Sequence, residues 1–514
     1  MLEALITPEI TQQPASRLDR DPHALEEWLG SLQLLSTQSS ASQVLDQLVQ
    51  LNRTQLEPKL RYQLMQRYQP IIATLARLIQ PEQALSKQPM GRTKQELGFL
   101  CALLLEQANG LKHTLRDLAE ARFYLGRKPI AAVLVDLFST YLALIWACQR
   151  AYAPVPDGVW LQLHTLFKYA VTRGDISLQL ISTAPPSPML LLYKECLLLS
   201  LANLPAFSSL EQLQIRRIIQ TDTESCEIRK LGDVAPGRTG FLLLLDQDLP
   251  PVLPHQEVDP QTGIALWLET GPLLRQLTRI IERIENDQIH HGVQPEIPVL
   301  LWRKLARRFD NHIRRAAPRQ PEQGSLAVLY GLRQAAVQLN AGQPLSLADA
   351  APLRRAPSGR DAAGPAYWEI LNAGAGGYAL RLSIEGDHLP CRVGDALLVC
   401  DQREVGWLLA AVRWQTVDLE AESTEIGIEI LSLSPWPALL QLSPGVAGAA
   451  PLHCLALPPW PQMERPALLI APRGSFGPMR ELHLHSAAGE QVLRASRLLE
   501  QTPSYELFEF FTIC

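Results

Sequence analysis

From residue 22 to about 210 the apolar positions recur at the helical period. In "SASQVLDQLVQLNR", residues 40–53, Val44, Leu45, Leu48, Val49 and Leu51 fall on one broad stripe, the spacing of an amphipathic helix. The pattern continues through "RYQLMQRYQPIIATLARLIQ", where Pro70 is expected to kink or restart the helix. It recurs over 95–122, 129–150, 159–172 and 189–204, with turn-forming runs such as "PVPDG" and "APPSP" between. Residues 1–21 read as an N-terminal arm. Residues 22–210 read as a helical domain, either a bundle or a solenoid of hairpins similar to a tetratricopeptide array.

The segment 211–345 reads as mixed and mainly helical. "RTGFLLLLDQDLPP" holds one buried strand, while "GIALWLETGPLLRQLTRIIERIE" and "PEIPVLLWRKLARRFDNHIRRAA" return to helix. Residues 346–366 are rich in Arg, Pro, Ala and Gly and read as a loop. Beyond them come the short runs "YALRLSI", "DALLVC", "VGWLLAAVRWQ" and "EIGIEILS", which predict a small antiparallel barrel over 367–440. "HCLALP", "ALLIAP", "ELHLHS", "QVLRASRLLE" and "YELFEFFTI" predict a second small β subdomain over 441–514. The expected fold class is therefore α+β multidomain: a large helical N-terminal region, then two β-rich units.

Composition narrows the classes. The chain has 514 residues, too many for one core, and with 47% hydrophobic and 19% charged residues it is not a disordered sequence. Its net charge of −5 gives no global basic field, so no nucleic-acid partner is expected. Eight cysteines are spread along the chain without a CxxC spacing. That argues against a zinc ribbon or disulfide framework and for free thiols in a reducing cytosol. The N-terminus lacks the basic start and apolar core of a secretory signal. Residues 129–148 are long enough to cross a bilayer, but Asp136, Ser139 and Thr140 stand near the middle. They read as a buried bundle helix, with no transmembrane span and a cytoplasmic location expected.

The informative stretch is "YWEILNAGAGGYALRL". With its neighbours, about 352–432, it resembles the PilZ domain, the small bacterial barrel that binds cyclic di-GMP. That family has an arginine-rich entry loop of the form RxxxR and then a strand ending in [D/N]xSxxG. Here Arg354, Arg355 and Arg360 precede "NAGAGG", in which Asn372 matches the Asp/Asn, Gly374 stands at the serine position and Gly377 matches the glycine. "CRVGDALLV" with Gly394, "WLLAAVRW" and "EIGIEIL" with Gly427 resemble the later strands. The departures are concrete. Arg355 and Arg360 are spaced by five where the motif has four, and Gly374 lacks the hydroxyl. Arg315 and Arg319 have the motif spacing but stand far upstream, at the end of a predicted helix. What the resemblance implies is a cyclic di-GMP site at Arg354, Arg355, Arg360, Asn372, Gly374 and Gly377. Residue chemistry agrees. Guanidinium groups grip phosphate bidentately and bond the guanine O6 and N7 edge, and glycine lets backbone come close.

Other features are weaker. Arg303, Lys304, Arg307, Arg308, Arg314, Arg315 and Arg319 give a basic helix face, read first as a solvated one. His483 and His485 alternate on a predicted strand without a third metal ligand. There is no GxSxG, GxxxxGK[ST], HExxH or helix-opening GxGxxG, so an enzyme is not expected, nor a cofactor or metal. Two functions fit: a cyclic di-GMP receptor that signals to a protein partner through its helical region, or an adaptor whose degenerate barrel binds no nucleotide. Homo-oligomerisation stays open.

Overall fold

A computed structural model describes residues 2–34, 36–80, 90–120, 127–178, 186–254, 265–291, 296–312, 320–342, 345, 364–374, 376–383, 391–401, 406–418, 420–442, 450–487 and 489–513. The chain divides into two units: Met1–Leu204 with Ser209–Arg314, and Pro205–Ser208 with Arg315–Cys514.

The first unit opens with helices α1 (Pro22–Ser31), α2 (Thr37–Asn52), α3 (Pro58–Ile79), α4 (Met90–Glu120), α5 (Arg127–Arg150), α6 (Val159–Arg173), α7 (Pro188–Ala202) and α8 (Ser209–Asp222). Helix α4 packs against α2, α3 and α5, and α5 packs more extensively on α7 than on α6. That is a bundle around a central helix, because in a solenoid each repeat would touch only its sequence neighbours. Pro70 sits inside α3, which runs on through it. The apolar helix α5 is a core element: Val133, Leu134, Leu137, Phe138 and Tyr141 are fully buried, and Asp136 accepts a 2.9 Å hydrogen bond from the Tyr62 hydroxyl. Two helical stretches, Pro129–Arg150 and Pro188–Ala206, are long and apolar enough to cross a membrane, and 61% of each is buried.

The run "ALWLE", expected to be helical, is a strand. β1 (Glu227–Lys230), β2 (Gly240–Leu244) and β3 (Ala265–Glu269) form a three-stranded antiparallel sheet with β3 in the middle. A five-residue apolar run cannot be told from a buried helix segment by its period alone. Pairing with strands on both sides decided this one. Helices α9 (Gly271–His291) and α10 (Val299–Arg308) complete the unit.

The second unit contains two closed six-stranded antiparallel barrels. In the first, β5 (Ser325–Tyr330), β6 (Ala366–Gly374), β7 (Gly377–Ser383), β8 (Ala396–Asp401), β9 (Leu408–Asp418) and β10 (Ser423–Ser432) are ordered β6-β5-β8-β9-β10-β7, and β6–β7 pairing closes the ring. A short outer strand, β4 (Gln320–Pro321), lies along β6. The barrel therefore takes its first strand from upstream of the expected start at 367. "SLAVLY" holds four buried residues and reads as a strand only once β6 and β8 flank it. Within β6 burial alternates, with Trp368 and Ile370 buried and Tyr367 and Glu369 exposed.

The second barrel comprises β11 (Trp436–Leu442), β12 (Leu452–Leu457), β13 (Leu468–Pro472), β14 (Glu481–Ser486), β15 (Gly489–Gln501) and β16 (Tyr505–Thr512), ordered β11-β12-β13-β16-β15-β14. It begins at Trp436, ahead of the expected 441, because β11 pairs with both β12 and β14 and is needed for closure. The apolar C-terminal run is an inner strand between β13 and β15. Helix α11 (Leu332–Leu339) lies between the barrels. Its Leu332, Ala335 and Ala336 join Leu398 and Leu409 of the first and Leu455, Ile470 and Tyr505 of the second in one buried cluster.

Candidate functional site

The glycine-rich stretch forms the β6–β7 hairpin. Gly374 stands opposite Gly377, Ala373 opposite Tyr378 and Asn372 opposite Ala379, with a bulge between Ile370 and Asn372. Gly377 serves a close approach: a Cβ there would lie 1.9 Å from the Ile428 carbonyl oxygen of β10. The Ile430 amide donates to the Gly376 carbonyl at 2.8 Å, so the hairpin tip is tied to β10 by its backbone. Gly427 on β10 has an equally strict role, since a Cβ there would fall 1.7 Å from Nε1 of Trp414. Of the glycines expected to serve a ligand, Gly377 is thus already required by barrel closure.

Asn372 sits at the most informative position. Its Cα partner on one side is Ala379 and on the other Pro321 of β4. Its Oδ1 is buried and has no hydrogen-bond partner among the described residues. A buried acceptor left unsatisfied costs roughly 1–3 kcal/mol, so this atom invites a donor.

Arg354, Arg355 and Arg360 lie outside the described residues, as do Arg315 and Arg319. Where the described chain resumes differs between the two groups. After the 354–360 group it resumes at Gly364, eight residues before Asn372. After Arg319 it resumes at Gln320, whose Cα partner is Ala373. The pair with RxxxR spacing thus leads directly into the strand beside Asn372. The sequence signal, an intact four-residue spacing, was present, but some 50 intervening residues made it look remote. Arg381 on β7, the strand that pairs with β6, is engaged by Glu425 at 2.7 Å.

The hairpin is also wired to the second barrel. Glu429 of β10 is the Cα partner of Gly377. Its carboxylate accepts from Arg413 Nε at 2.7 Å and from Arg465 Nη2 at 2.5 Å. Arg413 reaches on to both oxygens of Glu500, with Nη2 at 3.0 Å from Oε2. Arg465 and Glu500 belong to the second barrel, so this alternating chain of two arginines and two glutamates crosses between barrels. Burial works against the Arg413 charge, but Tyr505, Glu500 and Glu429 outweigh it and hold its pKa well above the usual arginine value.

Comparison with known proteins bears on the whole chain. Residues 23–231 match the family described as "Cyclic-di-GMP receptor FimW, N-terminal domain", and 439–513 match "FimW C-terminal beta-barrel domain". The chain is FimW-like. A curated relative, the cyclic-di-GMP receptor FimW of Pseudomonas aeruginosa, is 23% identical over an alignment covering 99% of this chain and 93% of the relative. No solved structure matches. The stretch matched by the FimW C-terminal domain spans the second barrel from within β11, and the N-terminal match spans α1 to α8 and β1. The first barrel, with the hairpin, lies between them.

The remaining sequence candidates settle into ordinary roles in this FimW-like chain. The basic helix α10 ends at Arg308. Its Arg303 is paired with Glu285 of α9, and Lys304 meets Glu211 of α8 at 3.2 Å. On β14, His483 Nδ1 lies 2.9 Å from Glu490, and no three-ligand metal cluster occurs among the described residues. The described cysteines are free, five of them buried.

Proposed function

We propose that the chain is a cytoplasmic, non-catalytic receptor for cyclic di-GMP whose first barrel is of the PilZ type. The observation that carries the reading is the strand β4. Its Pro321 pairs with Asn372, whose Oδ1 lacks a partner among the described residues, and it directly follows Arg315 and Arg319 in sequence. In this reading the two guanidinium groups grip the phosphates and the O6/N7 edge of guanine. Asn372 Oδ1 accepts from the guanine N1–H or N2–H₂ group, and the glycines at 374–377 keep the hairpin surface low so that the base can approach. The near full-length similarity to a protein described as a cyclic-di-GMP receptor supports the ligand class. Arg354, Arg355 and Arg360 take an auxiliary role, since their segment joins β6 at its far end.

The helical unit, in this account, presents the surface for a protein partner. Ligand at the hairpin would act on it by favouring one arrangement of the receptor, to the extent that the ligand binds that arrangement better. One observation favours a second reading, a degenerate barrel without ligand: Gly374 stands where a serine hydroxyl would contact the nucleotide. Titration calorimetry of the full chain separates them. Saturable binding of cyclic di-GMP, with cyclic di-AMP at least tenfold weaker, is expected. Absence of heat at saturating ligand contradicts the receptor reading.

A further inference from the structure

Helices α4 and α5 follow each other closely in the chain and pack together, so they run antiparallel. Cys101 lies 19 residues before Glu120, where α4 ends, and Cys148 lies 21 residues after Arg127, where α5 begins. Nearly equal lengths of helix, with the same rise per residue, bring the two cysteines level. Their neighbours one turn away, Leu97 and Leu104 on α4 and Leu144 on α5, are buried. Both cysteines therefore belong to the stripes through which the helices meet. Their sulfurs come within 3.7 Å, in hydrogen-bond contact, across 47 residues of sequence. At that separation no local spacing such as CxxC announces the pair.

The two thiols are unequally placed. Cys101 is half-buried and Cys148 is buried, so a small solute meets Cys101 first. The hydrogen bond with Cys148 holds the Cys101 pKa below the ordinary thiol value, against the effect of burial. The same bond, together with burial, pushes Cys148 up. Burial also pushes up the thiols of Cys196, Cys226, Cys391 and Cys454. The thiolate is the nucleophile, so the pair divides into an attacking sulfur and a resolving one. Closing 3.7 Å to the roughly 2 Å of a disulfide requires a small movement. Cys148 stands in the last turn of α5, which ends at Arg150, and helix ends adjust more readily than helix centres.

We propose that Cys101 and Cys148 are a peroxide-responsive dithiol, which a hydroperoxide converts into a disulfide that pins α4 to α5. The Cys101 thiolate attacks one peroxide oxygen and the O–O bond breaks. Cys101 becomes a sulfenic acid, and the leaving hydroxide takes up a proton to become water. The Cys148 sulfur then gives up its proton and attacks the Cys101 sulfur. The S–O bond breaks, the S–S bond forms and a second water leaves. Two thiols thus pass two electrons to one peroxide, and a dithiol reductant reverses the change. The pair lies in the helical unit and draws nothing from the hairpin reading.

The test treats the reduced full chain with one equivalent of hydrogen peroxide, counts thiols after denaturation and maps the products by mass spectrometry. The expected result is a fall from eight thiols to six, a disulfide joining the peptides of Cys101 and Cys148, and return to eight with dithiothreitol. The pair should react at least tenfold faster than Cys400, the other half-buried cysteine among the described residues. In Cys148→Ser, dimedone should trap a sulfenic acid on Cys101, and in Cys101→Ser, Cys148 should remain a thiol. The wild-type measurement decides the matter even where a variant folds poorly. Retention of all eight thiols at millimolar peroxide overturns the proposal. So does oxidation of Cys400 ahead of the pair, a disulfide between other cysteines, or sulfinic acid on Cys101 with Cys148 still a thiol.

Discussion

Replacing Arg413 by alanine should strike the link between the two barrels. Its guanidinium serves two carboxylates at once, Glu500 and Glu429. The Glu500 side chain is only 11% exposed, so the substitution strips a nearly buried carboxylate of its arginine. Breaking one partner of such a pair costs about 3–5 kcal/mol. For a unit of this size each kcal/mol moves the melting temperature by roughly 2–4 °C, so the β unit should melt roughly 6–20 °C lower. Calorimetric scanning of the full chain reads this as a shift of the β-unit endotherm. The exposed pair Arg381–Glu425 is the control, since surface ion pairs contribute about 0–1 kcal/mol. Arg381→Ala should move the same endotherm by less than about 4 °C. An Arg413→Ala shift no larger than that of Arg381→Ala would refute the reasoning that this network is a buried, mutually dependent chain.

Three further outcomes follow from named residues. His164 is fully buried, its Nε2 2.9 Å from the Leu249 carbonyl and its Nδ1 2.7 Å from the Tyr193 hydroxyl, and burial lowers its pKa to about 4. Its contribution is whole above the unfolded value near 6.5 and is lost as pH falls from there toward 4, about 2 kcal/mol by pH 5; denaturation at pH 7 and 5 should show that loss, and His164→Gln should lessen it. Gly377→Ala drives a methyl onto the Ile428 carbonyl and should destabilise the first barrel by about 3 kcal/mol, the upper range of overpacking, as read by urea midpoint. Gly374→Ser restores the hydroxyl of the PilZ pattern and should tighten cyclic di-GMP binding about tenfold by calorimetry, one polar contact's worth.

The large outline was legible because long periodic segments carry strong signals. α3 to α5 announce themselves by stripe, and β7 to β10 and β12 to β16 by short apolar runs between breaks. What escaped were elements whose identity depends on partners far away in the chain. "SLAVLY" and "ALWLE" are too short to choose between helix and strand alone, and their neighbours in the sheets chose for them. β4 has two exposed residues and no apolar pattern, so nothing in its sequence points to β6. The site suffered for the same reason. Asn372 and the hairpin were visible as local chemistry. The arginine pair with the motif spacing was set aside because it stands far upstream, at the end of a predicted helix.

The central claim is that cyclic di-GMP binds where β4 meets Asn372. Calorimetry on two variants tests it most directly: Arg315→Ala/Arg319→Ala and Arg354→Ala/Arg355→Ala/Arg360→Ala, each shown to keep the wild-type melting profile. The account predicts that the first loses at least a hundredfold in affinity and that the triple variant loses less than tenfold. Wild-type affinity in the first variant, or loss of binding in the triple variant alone, would contradict it.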